Sequence, residues 1–215
     1  TPAVITLDGP SGVGKGTVAR ALASRHGWHL LDSGALYRIL AVSARDRGVS
    51  LEDAAGLTAL AARLKIAFSV DGADAERITV DDRDITELVR REESGGLASR
   101  IAELPEVRTA LFERQRAFRQ APGLVADGRD MGTVVFTDAP LKVFLDASAE
   151  ERAHRRWRQL SPDRRPAKLD DLFAEISARD VRDRTRATAP LVPAEDAVII
   201  DTTRLSVEAV LARVE

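Results

Sequence analysis

A glycine-rich segment near the start of the chain has the residue types that a protein needs to hold a phosphate group. Residues 9–17, Gly-Pro-Ser-Gly-Val-Gly-Lys-Gly-Thr, follow the short apolar run Val4-Ile5-Thr6-Leu7. Glycines let a backbone wrap tightly with its N–H groups pointing inward, and a helix that begins at the end of such a loop adds the positive end of its dipole. Lys15 can then reach the outer phosphates of a nucleotide. The segment therefore predicts nucleotide binding and phosphoryl transfer.

The residues after Lys15 depart from the general pattern of phosphate-binding loops. That pattern has Ser or Thr directly after the lysine, where the hydroxyl holds Mg²⁺, but here Gly16 intervenes and Thr17 comes second. Gly-Lys-Gly-Thr resembles the variant found in nucleoside monophosphate kinases. We therefore expect Mg²⁺ to be held mainly by phosphates and water, with Thr17 or Asp127 helping through water and no certain protein ligand.

Short apolar runs alternate with helical patterns along most of the chain, which predicts a parallel sheet covered by helices on both faces. Strands are predicted over residues 4–7, 28–31, 124–128, 141–146 and 197–200. Helices are predicted over residues 17–25, 35–47, 97–121 with a helix start at Pro105, 149–160, 169–184 and 206–214. Four of the strands end in polar clusters, which contain Asp8, Asp32, Asp127 and Asp146. Ligands bind at the carboxyl ends of the strands in such sheets, so we expect these clusters to share one edge.

The segment between residues 66 and 86 follows a different pattern. Residues 66–70 and 77–80 alternate between apolar and polar side chains, and they flank the turn-rich Asp71-Gly72-Ala73-Asp74. This pattern predicts a small antiparallel hairpin, with a third strand near residues 83–86. A hairpin that interrupts an α/β alternation indicates an inserted subdomain.

The length and composition of the chain narrow the class of protein. Its 215 residues suit one α/β core with small insertions, and a formal net charge of −2 argues against a dedicated nucleic-acid or membrane-surface binder. The absence of cysteine excludes disulfides and thiolate metal sites, and the 3 histidines are not spaced as a metal site. We find no signal peptide and no membrane-spanning run, and we expect a cytoplasmic monomer.

Five further segments carry a more specific signal. They are Leu30-Leu31-Asp32-Ser33-Gly34-Ala35-Leu36-Tyr37-Arg38, Arg114-Gln115-Arg116-Ala117-Phe118-Arg119, Asp127-Gly128-Arg129-Asp130-Met131-Gly132-Thr133-Val134-Val135-Phe136, Ser148-Ala149-Glu150-Glu151-Arg152-Ala153-His154-Arg155-Arg156 and Arg179-Asp180-x-Arg182-Asp183-Arg184-x-Arg186. Together with the loop, they resemble the bacterial cytidylate (CMP) kinases over nearly the whole chain.

The resemblance implies an α/β fold with a single P-loop kinase domain over residues 1–215. The core of this fold is a five-stranded parallel sheet covered by helices. An inserted region at residues 33–122, with an antiparallel sheet at about 66–86, would bind the nucleoside monophosphate. A short arginine-rich lid would span residues 155–168.

The same resemblance implies a reaction, the direct in-line transfer of the γ-phosphoryl group of ATP to CMP or dCMP with Mg²⁺. It puts Ser33, Arg38, Arg129 and Arg186 around the acceptor phosphate, Ser99, Arg108 and Asp130 at the cytosine, and Arg179 and Asp183 at the sugar. ATP would bind to Gly9, Pro10, Ser11, Gly12, Val13, Gly14, Lys15, Gly16 and Thr17, beneath Arg155, Arg156 and Arg182. Lys15, Arg129 and Arg182 would be the catalytic residues.

The residue types suit these roles. The planar, bidentate donors of arginine match a phosphate, and an aspartate beside an arginine and a hydroxyl matches the amino donor and the two acceptors of cytosine. The acceptor atom is a phosphate oxygen that is already anionic near neutral pH. We therefore expect no general base, and catalysis by alignment and charge neutralisation.

Several alternatives stay open at the level of sequence. The arginines between residues 152 and 186 alternate with carboxylates, so they suit a solvated, salt-bridged helix pair as well as a lid. The rival functions are a kinase of UMP, AMP or shikimate, an ATPase or nucleotide switch without an acceptor, and a non-catalytic nucleotide-binding scaffold. We interpret Asp146 as a structural turn residue, Asp127 as functional and His154 as an exposed helix residue.

Overall fold

The structure is a computed structural model that describes residues 1–70, 76–159 and 169–215. These residues form two compact units, Thr1–Asp32 together with Gln115–Glu215, and Ser33–Arg114. The strands are β1 (Ala3–Asp8), β2 (His29–Asp32), β3 (Ile66–Val70), β4 (Glu76–Val80), β5 (Arg83–Asp84), β6 (Gly123–Gly128), β7 (Leu141–Asp146) and β8 (Val198–Asp201). The helices are α1 (Lys15–His26), α2 (Ser33–Asp46), α3 (Ala54–Arg63), α4 (Thr86–Arg90), α5 (Glu92–Ile101), α6 (Pro105–Arg116), α7 (Ala149–Gln159), α8 (Leu169–Thr185) and α9 (Val207–Val214), and Met131–Val135 form a π-helical turn.

A five-stranded sheet of order β2-β6-β1-β7-β8 forms the centre of the first unit. All neighbouring strands pair in parallel. β6 is buried along its whole length, as expected of a strand covered by helices on both faces. The predicted five-stranded parallel sheet is therefore confirmed.

The strands of this sheet end in carboxylates along one edge. Asp32 lies beside Asp127 and Asp146 lies beside Asp201, while Asp8 closes β1 between the two pairs. The predicted convergence of four polar clusters is confirmed. Asp201 is a fifth carboxylate at this edge, just beyond the strand that the sequence predicts over residues 197–200.

Helices α1 and α9 pack against β1, β6 and β7 in one apolar cluster. Leu7, Leu22, Val125, Val143 and Leu211 belong to it, and all five are buried. Full burial of such a side chain contributes about 1.5–3 kcal/mol. This cluster anchors both elements that flank residues 9–17, namely β1 before them and α1 after them.

The second unit contains α2, α3, α4, α5 and most of α6 around the antiparallel sheet β3-β4-β5. Ile39, Leu40, Leu57, Ile78 and Ile101 lie in its apolar core. The predicted hairpin and its third strand are confirmed, whereas its predicted turn at residues 71–74 lies outside the described residues. That residues 33–122 bind the nucleoside monophosphate stays a prediction.

Three helices differ from those that the sequence predicts. Residues 97–121, predicted as helical with a helix start at Pro105, contain the end of α5, which already begins at Glu92, and then α6, which begins at Pro105 as expected. α5 and α6 are separate helices because proline has no N–H and fits a helix only in its first turn. The pattern of the sequence predicts neither α3 nor α4. Asp53 is a usable signal for α3, since its carboxyl accepts a capping hydrogen bond from the Gly56 amide at 2.9 Å.

The predicted lid at residues 155–168 begins within α7, and its residues 160–168 lie outside the described residues. His154 is exposed on α7, as predicted. Within the described ranges, none of the helices combines the length and the apolarity that crossing a bilayer requires.

Candidate active site

The phosphate loop, residues 9–17, connects β1 to α1 at the carboxyl edge of the parallel sheet. Gly9 has φ +150°, and a Cβ at this position would lie 2.1 Å from the carbonyl oxygen of Leu145, so glycine is required there. Gly14 caps α1 at φ +94°, and no side chain caps the helix. The first N–H groups of a helix have no acceptor within the helix itself. The loop therefore presents N–H groups and a helix dipole to an anion.

Lys15 is buried at the first position of α1, where its Nζ donates a hydrogen bond to the carbonyl oxygen of Pro10 at 2.8 Å. Burial, and next the charge of Arg129, lower the pKa of Lys15 to about 7. Arg179 acts in the same direction, while Asp127 opposes it. A phosphate beside Nζ would supply the negative charge that favours the ammonium form.

α8 and the residue directly after it carry most of the predicted acceptor-binding side chains of the first unit. Arg179 and Asp183 recur at helical spacing on α8, and Arg186 follows the last residue of the helix, Thr185. Asp183 is buried, and its Oδ2 accepts a hydrogen bond from Arg129 Nε at 3.2 Å and lies 3.9 Å from Arg179 Nε. The structure thus brings Arg129, predicted at the acceptor phosphate, together with both residues predicted at the sugar.

The chain folds back on itself directly after α8. Arg186 Nε donates a hydrogen bond to the carbonyl oxygen of Ala189 at 2.5 Å, and the Leu191 amide donates to the carbonyl oxygen of Asp183 at 2.7 Å. These bonds fix the backbone that carries Arg186.

Arg182 lies on α8, and its buried Nε has no hydrogen-bond partner within the described residues.

Asp127 and Thr17 are the predicted oxygen donors for a metal ion. Asp127 is buried at the end of β6, and its Oδ2 lies 3.5 Å from where a Cβ on Gly16 would be. Thr17 is exposed in the first turn of α1. Mg²⁺ prefers oxygen ligands, and proteins usually bind it through one or two carboxylates together with substrate phosphates and water. Asp127 offers the carboxylate that such a site needs, and that Thr17 helps through water stays a prediction.

Arg152 is a residue of this site that the sequence analysis does not single out. Its side chain is buried on α7 and pairs with Asp180 of α8 through both guanidinium Nη atoms. Nε donates to the carbonyl oxygen of Ala147 at 3.0 Å, and Nη1 donates to that of Ser11 in the phosphate loop at 3.1 Å. Arg152 therefore connects the loop to two helices. No local signal sets Arg152 apart from the other charged residues of α7, so only the tertiary contacts identify it.

Arg155 contacts the phosphate loop at Val13 and the residue that follows β8, Thr202. Its Nη1 donates to the Thr202 hydroxyl at 3.1 Å and to the carbonyl oxygen of Val13 at 3.4 Å, and its Nη2 donates to the carbonyl oxygen of Thr202 at 2.5 Å. The Thr202 hydroxyl itself donates to Val13 at 3.2 Å. Arg156, its neighbour, donates from Nη1 to Gln159 Oε1 at 3.4 Å. That these two arginines close over ATP stays a prediction.

The second unit carries four predicted residues. Ser33 is buried at the start of α2, and Arg38 is half-buried on the same helix. Ser99 is buried on α5. Arg108 of α6 donates from Nη1 to the carbonyl oxygen of Ala102 at 3.2 Å, and its guanidinium carbon lies 5.8 Å from the centroid of the Tyr37 ring. Their roles at the phosphate and at the cytosine stay predictions.

Comparison with known proteins identifies the family of this chain. Residues 5–215 match the family described as cytidylate kinase. The chain is 58% identical over 212 residues to the cytidylate kinase of Pseudomonas syringae pv. tomato, covering 98% of this chain and 93% of that one. It is 54% identical over 211 residues to the enzyme of Aeromonas hydrophila, covering 98% and 91%.

Likeness to solved structures is weaker. TT1252 from Thermus thermophilus aligns with a TM-score of 0.44 and 23% identity, over 99% of this chain and 96% of that one, which is too distant to bear on function. The family match, by contrast, spans nearly the whole chain and confirms the predicted resemblance. The chain belongs to the cytidylate kinase family.

Proposed function

We propose that this chain transfers the γ-phosphoryl group of ATP to CMP or dCMP, giving ADP and CDP or dCDP, with Mg²⁺. The observation that carries this proposal is the environment of Lys15. A buried ammonium lies near Arg129 and Arg179, and burial and these charges lower its pKa to about 7. Such a cluster of cations suits the several negative charges of a nucleotide donor and a phosphate acceptor, because phosphates compensate the cations in a site of low dielectric.

The chemistry needs alignment more than proton transfer. The attacking atom is an oxygen of the acceptor phosphate, which is already anionic near neutral pH. Lys15 and Arg129 would stabilise the charge that spreads over the transferring phosphoryl group. Asp183 orients the Arg129 guanidinium through the 3.2 Å hydrogen bond. Mg²⁺, with Asp127 and Thr17 near the donor phosphates, would supply further charge neutralisation when bound.

The proposed binding site for the nucleoside monophosphate rests on the residue types at the end of β6. Asp130 is buried directly after Arg129, so one segment supplies both a base-reading carboxylate and a phosphate-binding guanidinium. Ser99 and Arg108 would complete the cytosine site, and Ser33, Arg38 and Arg186 the phosphate site. Arg179 and Asp183 would contact the sugar.

The proposed ATP site rests on the phosphate loop. The N-terminus of α1, at which no side chain accepts a capping hydrogen bond, and the buried Lys15 suit the phosphates of ATP. Arg155, Arg156 and Arg182 would close over these phosphates and exclude water, whose attack would waste ATP. A cytoplasmic location, a monomeric state and the absence of nucleic-acid binding stay predictions from the sequence.

A coupled assay of ADP release tests the proposal. CMP, dCMP, UMP, AMP and shikimate are each offered with ATP and Mg²⁺, and each reaction is repeated with the metal chelated. We expect turnover with CMP or dCMP that exceeds turnover with the other acceptors and depends on Mg²⁺. ATP turnover that is independent of any acceptor would instead indicate an ATPase, and preference for UMP, AMP or shikimate would remove the cytosine assignment.

A further inference from the structure

Asp8 is a buried carboxylate to which the proposed function assigns no role. It ends β1 directly before Gly9 of the phosphate loop. Its Oδ1 accepts a hydrogen bond from the Met131 amide at 2.8 Å, and its Oδ2 accepts one from the Gly132 amide at 2.8 Å. One carboxylate therefore ties the start of the phosphate loop to the segment that directly follows Arg129 and Asp130.

The two amides that Asp8 accepts from are the first two of the π-helical turn Met131–Val135. The residue in the N-cap position of this turn is Asp130, at φ −146° and ψ 26°. An aspartate in that position ordinarily directs its own carboxylate onto amides of the first turn. Asp130 makes no such capping bond, and Asp8 caps the turn from another strand.

We propose that Asp8 is a positioning residue for the acceptor nucleotide, because by capping Met131 and Gly132 it holds the Asp130 carboxylate and the Arg129 guanidinium in their binding positions. This inference rests on the proposed function, in which these two residues contact the nucleoside monophosphate. It adds a residue that acts through them and does not itself touch the substrate.

The surroundings leave little freedom to replace this bond. A Cβ on Gly132 would lie 3.0 Å from the Thr6 hydroxyl and 3.2 Å from a carbon of the Lys142 side chain, so the turn packs closely against the sheet. Burial raises the pKa of Asp8 to about 7, with Asp130 acting in the same direction, while the two amides and Lys15 oppose it. Above about pH 7 the ionised form prevails, and this carboxylate offers two acceptors to two donors. An asparagine would turn an N–H₂ group towards one of the amides, leaving that amide unpaired.

The test is the discrimination between CMP and UMP in Asp8→Asn. We expect the ratio of kcat/KM for CMP to kcat/KM for UMP to fall by about tenfold, since an unpaired buried amide costs enough to displace the turn. The KM for CMP should rise more than the KM for ATP. A merely structural role would lower the fraction of active enzyme, and it would leave both the ratio and the KM values unchanged.

A double variant and a control complete the design. In the Asp130→Ala background, Asp8→Asn should no longer change the CMP-to-UMP ratio, because the residue through which it acts is gone. Asp146→Asn is the matched control, since its Oδ1 also accepts a backbone hydrogen bond at the end of a neighbouring strand, from Ala147 at 2.9 Å. The control should leave the ratio unchanged.

Several outcomes would overturn the inference. An unchanged ratio in Asp8→Asn would do so while wild-type CMP kinase activity still supports the proposed function, so the two failures are distinguishable. The inference would also be contradicted if Asp8→Asn lowered the CMP-to-UMP ratio as much in the Asp130→Ala background as in the wild type. If Asp8→Asn does not fold, hydrogen exchange of the wild-type enzyme decides: slow exchange of the Met131 and Gly132 amides is expected, and exchange as fast as in an exposed loop would overturn the inference.

Discussion

The phosphate loop and the helix pair α7–α8 both carry cationic side chains of the candidate site, but they use them differently. In the loop, the backbone conformation fixes the position of one cation, since Lys15 directly follows Gly14 at the start of α1. In the helix pair, the neighbours of each arginine determine its role. Arg152 pairs with Asp180 and braces the loop, whereas Arg156 contacts Gln159 on its own helix. A motif identifies the first kind of residue, and only tertiary contacts identify the second.

The largest expected effect is on catalysis, at the loop. We expect Lys15→Met to lower kcat by about 10²–10³, in the range found for the loss of one donor to developing charge. Steady-state assays with CMP and ATP measure it. Lys65→Met is the matched control, because it removes an exposed ammonium from the other unit. A kcat within threefold of wild type would show that Lys15 has no catalytic role.

The same substitution should alter how stability depends on pH. The pKa of Lys15 is lowered to about 7 in the folded state, against 10.5 as the ordinary value. Below pH 7 both the folded and the unfolded chain hold this proton, so the full cost of burying the ammonium applies. Between about pH 7 and 10.5 the folded chain binds fewer protons than the unfolded chain, and its contribution to the free energy of unfolding becomes more favourable as pH rises.

Chemical denaturation of the ligand-free protein measures this effect. The free energy of unfolding of the wild type minus that of Lys15→Met should increase by on the order of 1 kcal/mol per pH unit between pH 8 and 10. The subtraction cancels the titration of all other groups that the two proteins share. A difference that is flat over this range would mean that burial does not lower the pKa of Lys15.

The next effect is on stability, in the helix pair. Arg152→Met leaves Asp180 without its partner, and we expect the free energy of unfolding to fall by about 3 kcal/mol. Arg158→Met is the control on the same helix, because this exposed arginine pairs with Glu151 at the surface, where such pairs contribute about 0–1 kcal/mol. Equal losses in the two variants would show that Arg152 is no more than another surface cation.

The smallest expected effect concerns Arg156, which is proposed to bind ATP and not to brace the fold as Arg152 does. Arg156→Met should raise the KM for ATP by about tenfold, as expected for one lost charge-assisted hydrogen bond, and change the free energy of unfolding by less than about 0.5 kcal/mol. Kinetics at varied ATP and CMP concentrations, together with urea denaturation, measure both quantities. An unchanged KM for ATP would assign Arg156 to the solvated surface and leave the lid without this residue.

Much of the fold could be predicted because its signals are local. β-branched apolar runs ending in Asp mark the strands of the parallel sheet, and Pro105 marks the start of α6. The differences concern helices without a strong apolar pattern. No helix is predicted where α3 and α4 lie, although Asp53 caps α3, and α5 begins at Glu92, before the predicted start at residue 97.

The residues of the candidate site can also be grouped by whether a local pattern in the sequence identifies them. The family, the phosphate loop and the strand-end aspartates follow from the residues alone, because they depend on residue spacing and on backbone conformations that few residues adopt. That Asp8 caps the turn after Asp130, and that Arg152 holds Ser11, is visible only in the three-dimensional packing. Each of these bonds joins residues more than a hundred positions apart, and no local pattern specifies which donor a buried acceptor will meet.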